Sequence, residues 1–231
     1  MLTTAALVPA AGRGERLGPG EPKALRLLGG EPLLHHAVRT LLGVVDLVVV
    51  AAPADDVVTV RAGLAQLSGL GGAVLVVHGG ATRQESVALA LRAVPPSVDV
   101  VLVHDAARPL TPGSLVTAVV EAVRSGAPAV VPGLPVADTI KRVDDEGHVL
   151  ATVDRSALRA IQTPQGFSRD LLERAHAAAG GDLHTDDAGL VERLGERVTV
   201  IPGAEDAFKV TRPFDLAVAE TLLAARAGRP A

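Results

Sequence analysis

The chain has 231 residues, enough for one large core, and a net charge of −4 with no basic run or basic face, which argues against nucleic acid as a partner. It contains no cysteine, which excludes a disulfide framework and a thiolate metal site and suits a cytoplasmic protein. The apolar stretch 41–52 is too short to span a bilayer and contains Asp46, and the N-terminus lacks the basic lead of a signal peptide, so we expect no membrane association.

Short runs rich in valine and leucine alternate with segments of helical apolar spacing. The runs are TTAALVP, DLVVVAAP, AVLVVHGG, DVVLVHDAA and PAVVPGLP, and the helical segments are 31–43, 55–68, 83–93 and 112–125. The runs are nearly continuous in apolar residues, which is typical of parallel strands covered on both faces. The alternation predicts a single α/β domain over 1–231 with a Rossmann-like, doubly wound and mostly parallel sheet.

Residues 136–154 interrupt this alternation. They predict a β-hairpin around the turn DDEG, with polar residues on both of its faces. Such a hairpin is not stable alone and has too little apolar surface to lie flat on its own domain. We therefore expect a projecting arm that makes the protein a homodimer. Beyond the arm, the sequence predicts a strand in RVTVIPG and a closing helix from about Pro213.

The turn after the first strand is the most informative part of the sequence. Ligands of open α/β sheets bind at the carboxyl ends of strands, where compact residues let backbone N–H groups approach phosphate oxygens. The compact residues here are Pro9, Ala10, Ala11, Gly12 and Gly14. The dinucleotide fingerprint fails because Leu17 occupies its third glycine position, and the P-loop motif fails because Lys23 follows Pro22.

The same turn carries Arg16 and Lys23. Two cations beside a phosphate cradle are more than nucleotide binding requires. They suit a reaction in which negative charge grows on a phosphate and on a pyrophosphate leaving group, so we predict catalytic roles for both. A solvated surface loop is the structural alternative.

At this point the sequence resembles a known family. PAAGRGERLG…PKAL resembles the signature of the nucleotidyltransferases, and the further motifs resemble the 2-C-methyl-D-erythritol 4-phosphate cytidylyltransferase family of the non-mevalonate isoprenoid pathway. Those motifs are GGATRQESV, VHDAARPLT, VADTIKR, VDRSALRAIQTPQGF, TDDA and FKVTRPFDL, and they extend nearly from end to end. The resemblance implies transfer of CMP from CTP to the polyol phosphate, release of pyrophosphate, and Mg²⁺ or another divalent cation as cofactor.

On the CTP side, Gly80, Arg83 and Ser86 lie in GGATRQES, the segment that contributes to cytosine recognition in the resembled family. A helix N-terminus capped by Thr82 explains the same residues structurally. Asp105 and Ala106 follow the fourth strand, where an acid can hold a ribose hydroxyl or a water on Mg²⁺, or can cap backbone amides instead.

On the acceptor side, the resemblance implies Lys209 and Arg155 as catalytic residues that aim the acceptor phosphate, with Arg155 and Thr139 reaching it across a dimer interface. Further acceptor-side candidates are Arg108, which could instead buttress its loop, Thr163, and Asp206 three residues before Lys209. For Thr139 and Arg155 the structural alternative is an exposed hairpin position.

Two other interpretations stay open. HTDDA predicts a helix capped by Thr185 with two aspartates in its first turn, an arrangement that capping explains better than metal binding. For the whole chain, a ribitol-5-phosphate cytidylyltransferase shares the scaffold and much of the first loop, and a non-catalytic nucleotide-binding protein is a more distant alternative.

Overall fold

A computed structural model of the protein describes residues 3–12, 21–67, 69–180 and 185–227. Within these ranges the chain forms twelve strands: β1 (Thr3–Pro9), β2 (Leu27–Leu28), β3 (Glu31–Pro32), β4 (Leu47–Ala52), β5 (Ala73–His78), β6 (Val98–Val103), β7 (Ala129–Pro135), β8 (Ile140–Val143), β9 (Val149–Val153), β10 (Arg159–Ile161), β11 (Gln165–Ser168) and β12 (Thr199–Pro202). The α-helices of the same ranges are α1 (Leu33–Leu42), α2 (Val57–Ala65), α3 (Arg83–Arg92), α4 (Gly113–Arg124), α5 (Arg169–Ala178), α6 (Asp187–Arg193) and α7 (Pro213–Ala227).

Eight of the strands form one central sheet. Its order is β10-β7-β11-β6-β1-β4-β5, and β12 also pairs with β7. Strands β6, β1, β4 and β5 are parallel to one another, and β12 is parallel to β7. Strand β11 runs antiparallel between β6 and β7, and β10 runs antiparallel to β7. The sheet is therefore mostly parallel, as predicted, with antiparallel strands on one side of its centre.

The strands are covered on both faces. In β1, Ala6 and Val8 point into a core formed with α1, α2 and α4, whereas Ala5 and Leu7 point into a second core formed with α3, α5 and α6. All four side chains are fully buried. Because successive strand residues face opposite sides, a strand buried on both faces needs apolar residues throughout. This confirms the doubly wound α/β fold.

The predicted hairpin arm forms from β8 and β9, which pair with each other and, within the described ranges, with no other strand. Its turn is built around Asp144, whose carboxylate accepts hydrogen bonds from the backbone N–H groups of Glu146 and His148. Val149 and Leu150 are exposed on it. The arm therefore presents apolar side chains that its own domain does not cover.

Helix α7 closes the domain with a small core of its own, in which Ala219 packs with Leu28, Leu33, Leu110 and Val210. The sequence predicted this helix at its observed start. Among the residues described, no helix combines the length and apolar character that crossing a membrane requires.

Candidate active site

A pocket opens at the carboxyl edge of β1, β5 and β6, where the sequence predicted it. The described residues that line it are Pro9, Ala10, Ala11, Gly12, Lys23, Ala24, Gly80, Ala81, Thr82, Arg83, Ser86, Asp105, Ala106, Ala107 and Lys209. They come from five separate segments of the chain. All CTP-side candidates within the described residues are in this set, and so are two of the four catalytic candidates. Gly14 and the catalytic candidate Arg16 lie outside the described residues.

The turn after β1 passes close to the loop after β5. Ala10 N–H donates to Ala51 O at 2.8 Å, which continues the pairing with β4 for one residue beyond the strand. A Cβ at Gly79 would lie 2.5 Å from Ala11 Cβ and 3.1 Å from Ala52 O. Small residues are therefore required at Ala11 and Gly79, because the two loops are in close contact beside the pocket.

The loop after β5 enters α3 through a complete N-terminal cap. Thr82 Oγ1 accepts from Glu85 N–H at 3.0 Å, and the Glu85 carboxylate accepts from Ala81 N–H at 2.8 Å. Ser86 is buried, and its hydroxyl accepts from Gly80 N–H and donates to Thr82 O. The helix N-terminus capped by Thr82, which was the structural alternative for this segment, is thus present. Its hydrogen bonds fix the loop in the position where it lines the pocket.

Asp105 is the centre of the charges in the pocket. Its Oδ2 lies 2.7 Å from Lys209 Nζ and 3.9 Å from Arg108 Nε, and its Oδ1 lies 3.3 Å from Arg83 Nε. Burial by itself raises the pKa of Asp105, but Arg83, Lys209 and Arg108 outweigh burial and hold the pKa well below its usual range. Asp105 is therefore ionised at any physiological pH.

Arg83 has a second, more buried partner that the sequence did not identify. Its Nη1 donates to Asp187 Oδ2 at 2.6 Å, and Asp187 Oδ1 accepts from His176 Nε2 at 2.9 Å. The Asp187 side chain is only 1% exposed. Burial raises its pKa, but His176 and Arg83 lower it further than burial raises it, so Asp187 is ionised as well.

This contact corrects the interpretation of HTDDA. The helix cap is Asp186, which accepts from Gly189 N–H, and Thr185 is the residue before it. Asp187 lies in the first turn as predicted, but its side chain points inward to Arg83 rather than serving the helix end. The sequence did contain a signal for this role. A helix cap uses only one of two adjacent aspartates, which leaves the other available for a different partner.

The acceptor-side candidates fall in different places. Lys209 lines the pocket. Arg108 is buried beside it, and it donates to Ala207 O and Ile161 O, so its guanidinium ties its own loop to two other segments.

Thr163 is buried, and its hydroxyl accepts from Asp105 N–H at 3.0 Å and lies 3.0 Å from His104 Nδ1. Burial lowers the pKa of His104 to about 4, so that histidine is neutral. Thr163 therefore holds the backbone at Asp105, and Arg108 ties the loop that carries Asp105 to two other segments.

Asp206 and the arm candidates lie away from this pocket lining. The Asp206 carboxylate pairs with Arg226 Nη2 at 2.6 Å. Thr139 is exposed at the base of the arm, and the exposed Arg155 donates to Ala137 O within the same segment. None of the three contacts the described pocket of its own chain, so their acceptor-side roles stay predictions.

The carboxylates available in the pocket indicate whether it suits the predicted metal ion. Asp105 is the one carboxylate among the described pocket residues, and protein cations lie against both of its oxygens. Mg²⁺ is commonly held by one or two carboxylates together with substrate phosphates and water. Asp105 is a residue of the type that contacts such a cation, so the described lining is compatible with one. Another cluster of possible metal ligands lies exposed in the arm turn and consists of Asp144, Glu146 and His148. Asp144 already accepts two backbone hydrogen bonds there.

The fold and this pocket together define the α/β nucleotidyltransferase class. The sheet is doubly wound, the turn after β1 is compact but matches neither the dinucleotide fingerprint nor the P-loop, and lysines from two distant segments line one pocket. Such a site can hold a nucleoside triphosphate and neutralise a departing pyrophosphate.

Comparisons with known proteins are more specific. The family model for 2-C-methyl-D-erythritol 4-phosphate cytidylyltransferase, IspD, matches residues 4–225. The enzyme of that name from Saccharopolyspora erythraea is 60% identical over 228 residues, which cover 96% of this chain and 100% of the relative. The one from Streptomyces avermitilis is 57% identical over 232 residues, 96% and 92% of the two chains.

Solved structures agree with the sequence relatives. The crystal structure of 2-C-methyl-D-erythritol 4-phosphate cytidylyltransferase from Thermus thermophilus has a TM-score of 0.77 at 38% identity and covers 96% of this chain and 98% of that one. The 4-diphosphocytidyl-2C-methyl-D-erythritol synthase from Anaerococcus prevotii has a TM-score of 0.82 at 28% identity, with coverage of 96% and 99%. The chain belongs to the 2-C-methyl-D-erythritol 4-phosphate cytidylyltransferase family.

Family membership confirms the resemblance found in the motifs. The protein is a cytidylyltransferase of isoprenoid precursor biosynthesis that transfers CMP from CTP to 2-C-methyl-D-erythritol 4-phosphate. The roles of individual residues in that reaction are a separate question.

Proposed function

We propose that CTP binds in the pocket at the carboxyl edge of β1, β5 and β6, and that 2-C-methyl-D-erythritol 4-phosphate approaches it beside Lys209. The observation that carries this proposal is the arrangement of Lys23, Arg83 and Lys209 in one pocket lining around the buried carboxylate of Asp105. The pocket offers cationic side chains to phosphates and compact backbone to a nucleotide.

The reaction itself needs no general base. An oxygen of the acceptor phosphate attacks the α-phosphorus of CTP, a new P–O bond forms, and the bond from the α-phosphorus to the bridging oxygen of pyrophosphate breaks. A phosphate monoester has a second pKa near about 6 and is already an anionic nucleophile at neutral pH. The protein therefore contributes positioning and charge neutralisation.

In this arrangement the pocket residues contact three different parts of CTP, which are the triphosphate, the cytosine and the ribose. The backbone N–H groups of Ala11 and Gly12 approach the triphosphate where Pro9 and Ala10 line the pocket, and Lys23 neutralises charge on the α-phosphate and pyrophosphate. The cytosine is assigned to the N-terminal loop of α3, which carries Gly80, Arg83 and Ser86 and whose shape is fixed by the internal hydrogen bonds of Ser86. Asp105 with Ala106 faces the ribose. Arg16 is assigned the same work as Lys23 from the sequence alone.

Mg²⁺ or another divalent cation is part of the proposal, and Asp105 is the described pocket residue that would contact it, through water. When bound, it supplies positive charge to the triphosphate and lowers the repulsion that the incoming phosphate meets. Asp105 suits that contact because the cations around it keep it ionised.

The arm completes the proposal as a homodimer contact. Its exposed apolar residues Val149 and Leu150 suit burial against a second copy of the chain. Arg155 and Thr139 would then reach the acceptor phosphate in the partner's pocket, since within the described chain they do not contact their own.

Pyrophosphate release tests the function. The purified protein should release pyrophosphate with CTP plus 2-C-methyl-D-erythritol 4-phosphate, and much more slowly with ribitol 5-phosphate or with ATP. Lys23→Ala should lower kcat by about 100-fold or more while raising the Kd for CTP much less, because a cation that meets charge developing in the transition state acts mainly on turnover.

The matched control is Lys141→Ala, which removes an exposed lysine of the arm that bonds only to Thr152 within the described residues. It should keep the kcat of the unmodified protein. An equal loss of CTP affinity and turnover in Lys23→Ala would contradict a transition-state role for Lys23, and a preference for ribitol 5-phosphate would contradict the proposed acceptor.

A further inference from the structure

Two segments that meet at the pocket are joined by several contacts. They are the loop 104–110 after β6, which carries Asp105, and the segment 203–210 before α7, which carries Lys209. Besides the ion pair of Lys209 with Asp105, Val210 N–H donates to Ala107 O at 2.8 Å, and Arg108 Nη1 donates to Ala207 O at 2.6 Å. The position of the Lys209 amino group therefore depends on how these segments are held together.

Arg226, in the last turn of α7, holds the same two segments from outside the pocket. Its Nη2 lies 2.7 Å from Leu110 O at the end of the first segment, and 2.6 Å from Asp206 Oδ2 in the second. A single guanidinium nitrogen thus bonds to both segments. Neither Arg226 nor Asp206 is among the described pocket residues, and both side chains are partly exposed.

Helix α7 gives Arg226 a fixed base. The Glu220 carboxylate accepts from Gly29 N–H at 2.8 Å, and a Cβ at Gly29 would lie 2.5 Å from Leu223 Cδ2, so the helix is packed tightly against the β2–β3 turn. At the other end of the helix, Asp215 Oδ2 accepts from the N–H groups of Thr211 and Arg212. Arg226 therefore extends from a helix that packs against the β2–β3 turn through its middle and whose first turn is closed by Asp215.

We propose that Arg226 and Asp206 form a positioning pair that fixes the Lys209 amino group over the pocket, so that Asp206 acts through Arg226 and Lys209 and not as a direct ligand of the acceptor. The inference rests on the proposed role of Lys209. Asp206 lies three residues before Lys209, with its carboxylate directed to α7, so a contact at Asp206 sets the course of the chain into Lys209. This replaces the role that the sequence predicted for Asp206.

Steady-state kinetics of four variants tests the pair. Arg226→Gln and Asp206→Asn should each raise the KM for 2-C-methyl-D-erythritol 4-phosphate by about threefold to tenfold, with a smaller change in the KM for CTP. The double variant should be no worse than Arg226→Gln alone, because Asp206→Asn removes only a contact that Arg226→Gln has already removed. Arg226→Lys should recover part of the loss, since lysine keeps the charge but lacks the length and the fixed planar geometry with which the guanidinium meets both acceptors.

The matched control is Arg92→Gln, because Arg92 is likewise an exposed arginine in the last turn of a helix, here α3. It should leave both KM values unchanged. Lys209→Met is the reference variant and should raise the acceptor KM more than any of the others. Melting temperatures of the Arg226 and Asp206 variants should fall by no more than about 3 °C, as expected for an exposed pair.

Different outcomes would overturn different claims. Full additivity of Arg226→Gln and Asp206→Asn would mean that Asp206 acts independently of Arg226, and unchanged kinetics with a lower melting temperature would mean that the pair only stabilises the fold. Either result overturns the positioning pair. If Lys209→Met itself leaves the acceptor KM unchanged, the proposed role of Lys209 fails, and the inference fails with it.

Discussion

Charge balance at the pocket depends on two aspartates rather than one. Asp105 faces three cations, Arg83, Lys209 and Arg108. Asp187, which is more deeply buried, supplies a second negative charge to Arg83. Burial lowers the pKa of Arg83, but Asp187 and then Asp105 raise it further, so the guanidinium keeps its proton. With Arg83 held by Asp187, Asp105 remains close to Lys209, and the pocket keeps a net positive lining for a triphosphate.

Asp187→Asn tests this division of charge. Asparagine keeps the size of the side chain but removes its charge, so Arg83 is drawn to Asp105 and competes there with Lys209. We expect the KM for CTP to rise about tenfold, equivalent to about 1.4 kcal/mol of binding free energy, with a clear loss of thermal stability from the disrupted buried pair. Steady-state kinetics and thermal denaturation measure the two effects.

Asp170→Asn is the matched control, because Asp170 is also a first-turn helix aspartate paired with an arginine, but its side chain is 86% exposed. An exposed pair contributes about 0–1 kcal/mol, so this variant should be close to the unmodified protein in both assays. A drop in melting temperature for Asp187→Asn with no change in the KM for CTP would show that Asp187 supports the fold without setting the position of Arg83.

Elements differ in how far the sequence could predict them. The parallel strands β1, β4 and β6 were recognisable because burial on both faces requires nearly continuous apolar runs. Strands β10 and β11 were not predicted, since RAI and QGFS have only three and four residues and no apolar period. Their conformation comes from the neighbouring strands β6 and β7, which are distant in sequence.

The same reasoning explains what the site prediction contained and what it missed. Pocket residues at strand ends, such as Gly12 and Asp105, follow from the topology of a parallel sheet. Asp187 was missed as the buried partner of the pocket residue Arg83 because the two residues are 104 positions apart, and no local pattern reports such a contact. Thr163 was predicted at the site, but its contact with the backbone N–H of Asp105 depends on β11, a strand that the sequence did not reveal.

Gly166 shows how tightly α4 packs against strand β11 of the sheet. A Cβ at this position would lie 2.5 Å from Val119 Cγ1 and 3.1 Å from Val123 Cγ2. Valine is branched at Cβ and has little freedom to turn away in a helix. Gly166→Ala should therefore lower the free energy of unfolding by about 1–3 kcal/mol, measured by urea denaturation.

Gly113→Ala is the control for that measurement, because Gly113 begins the same helix and a Cβ there would meet nothing within 4 Å. Alanine favours the helix, so stability should be unchanged or slightly higher. Equal stability of the Gly166→Ala and unmodified proteins would mean that α4 can shift away from β11 at no cost.

At the scale of the whole molecule, the described chain does not bring all of its predicted acceptor residues together. Lys209 lines the pocket, whereas Arg155 is exposed at the end of the arm and bonds only within its own segment among the described residues. The arm also leaves Val149 and Leu150 exposed. A homodimer in which each arm serves the other subunit's pocket accounts for both features with one arrangement.

That arrangement predicts complementation between two inactive variants. Arg155→Ala and Lys209→Ala should each have low activity alone. If each site takes Arg155 from one subunit and Lys209 from the other, a mixed dimer has one site with both substitutions and one site with neither. Random reassortment of equal amounts should therefore restore about a quarter of the unmodified activity, since half of the dimers are mixed and half of their sites are intact.

Two comparisons make the complementation result specific. Arg142→Ala, at an exposed arginine on the same arm, should be fully active before mixing and unaffected by it. Mixed dimers of the two inactive variants, isolated with different affinity tags, should have about half of the activity of the unmodified dimer. If these isolated dimers are as inactive as their parents, Arg155 and Lys209 belong to the same subunit's site, because every site would then retain one substitution however the chains are paired.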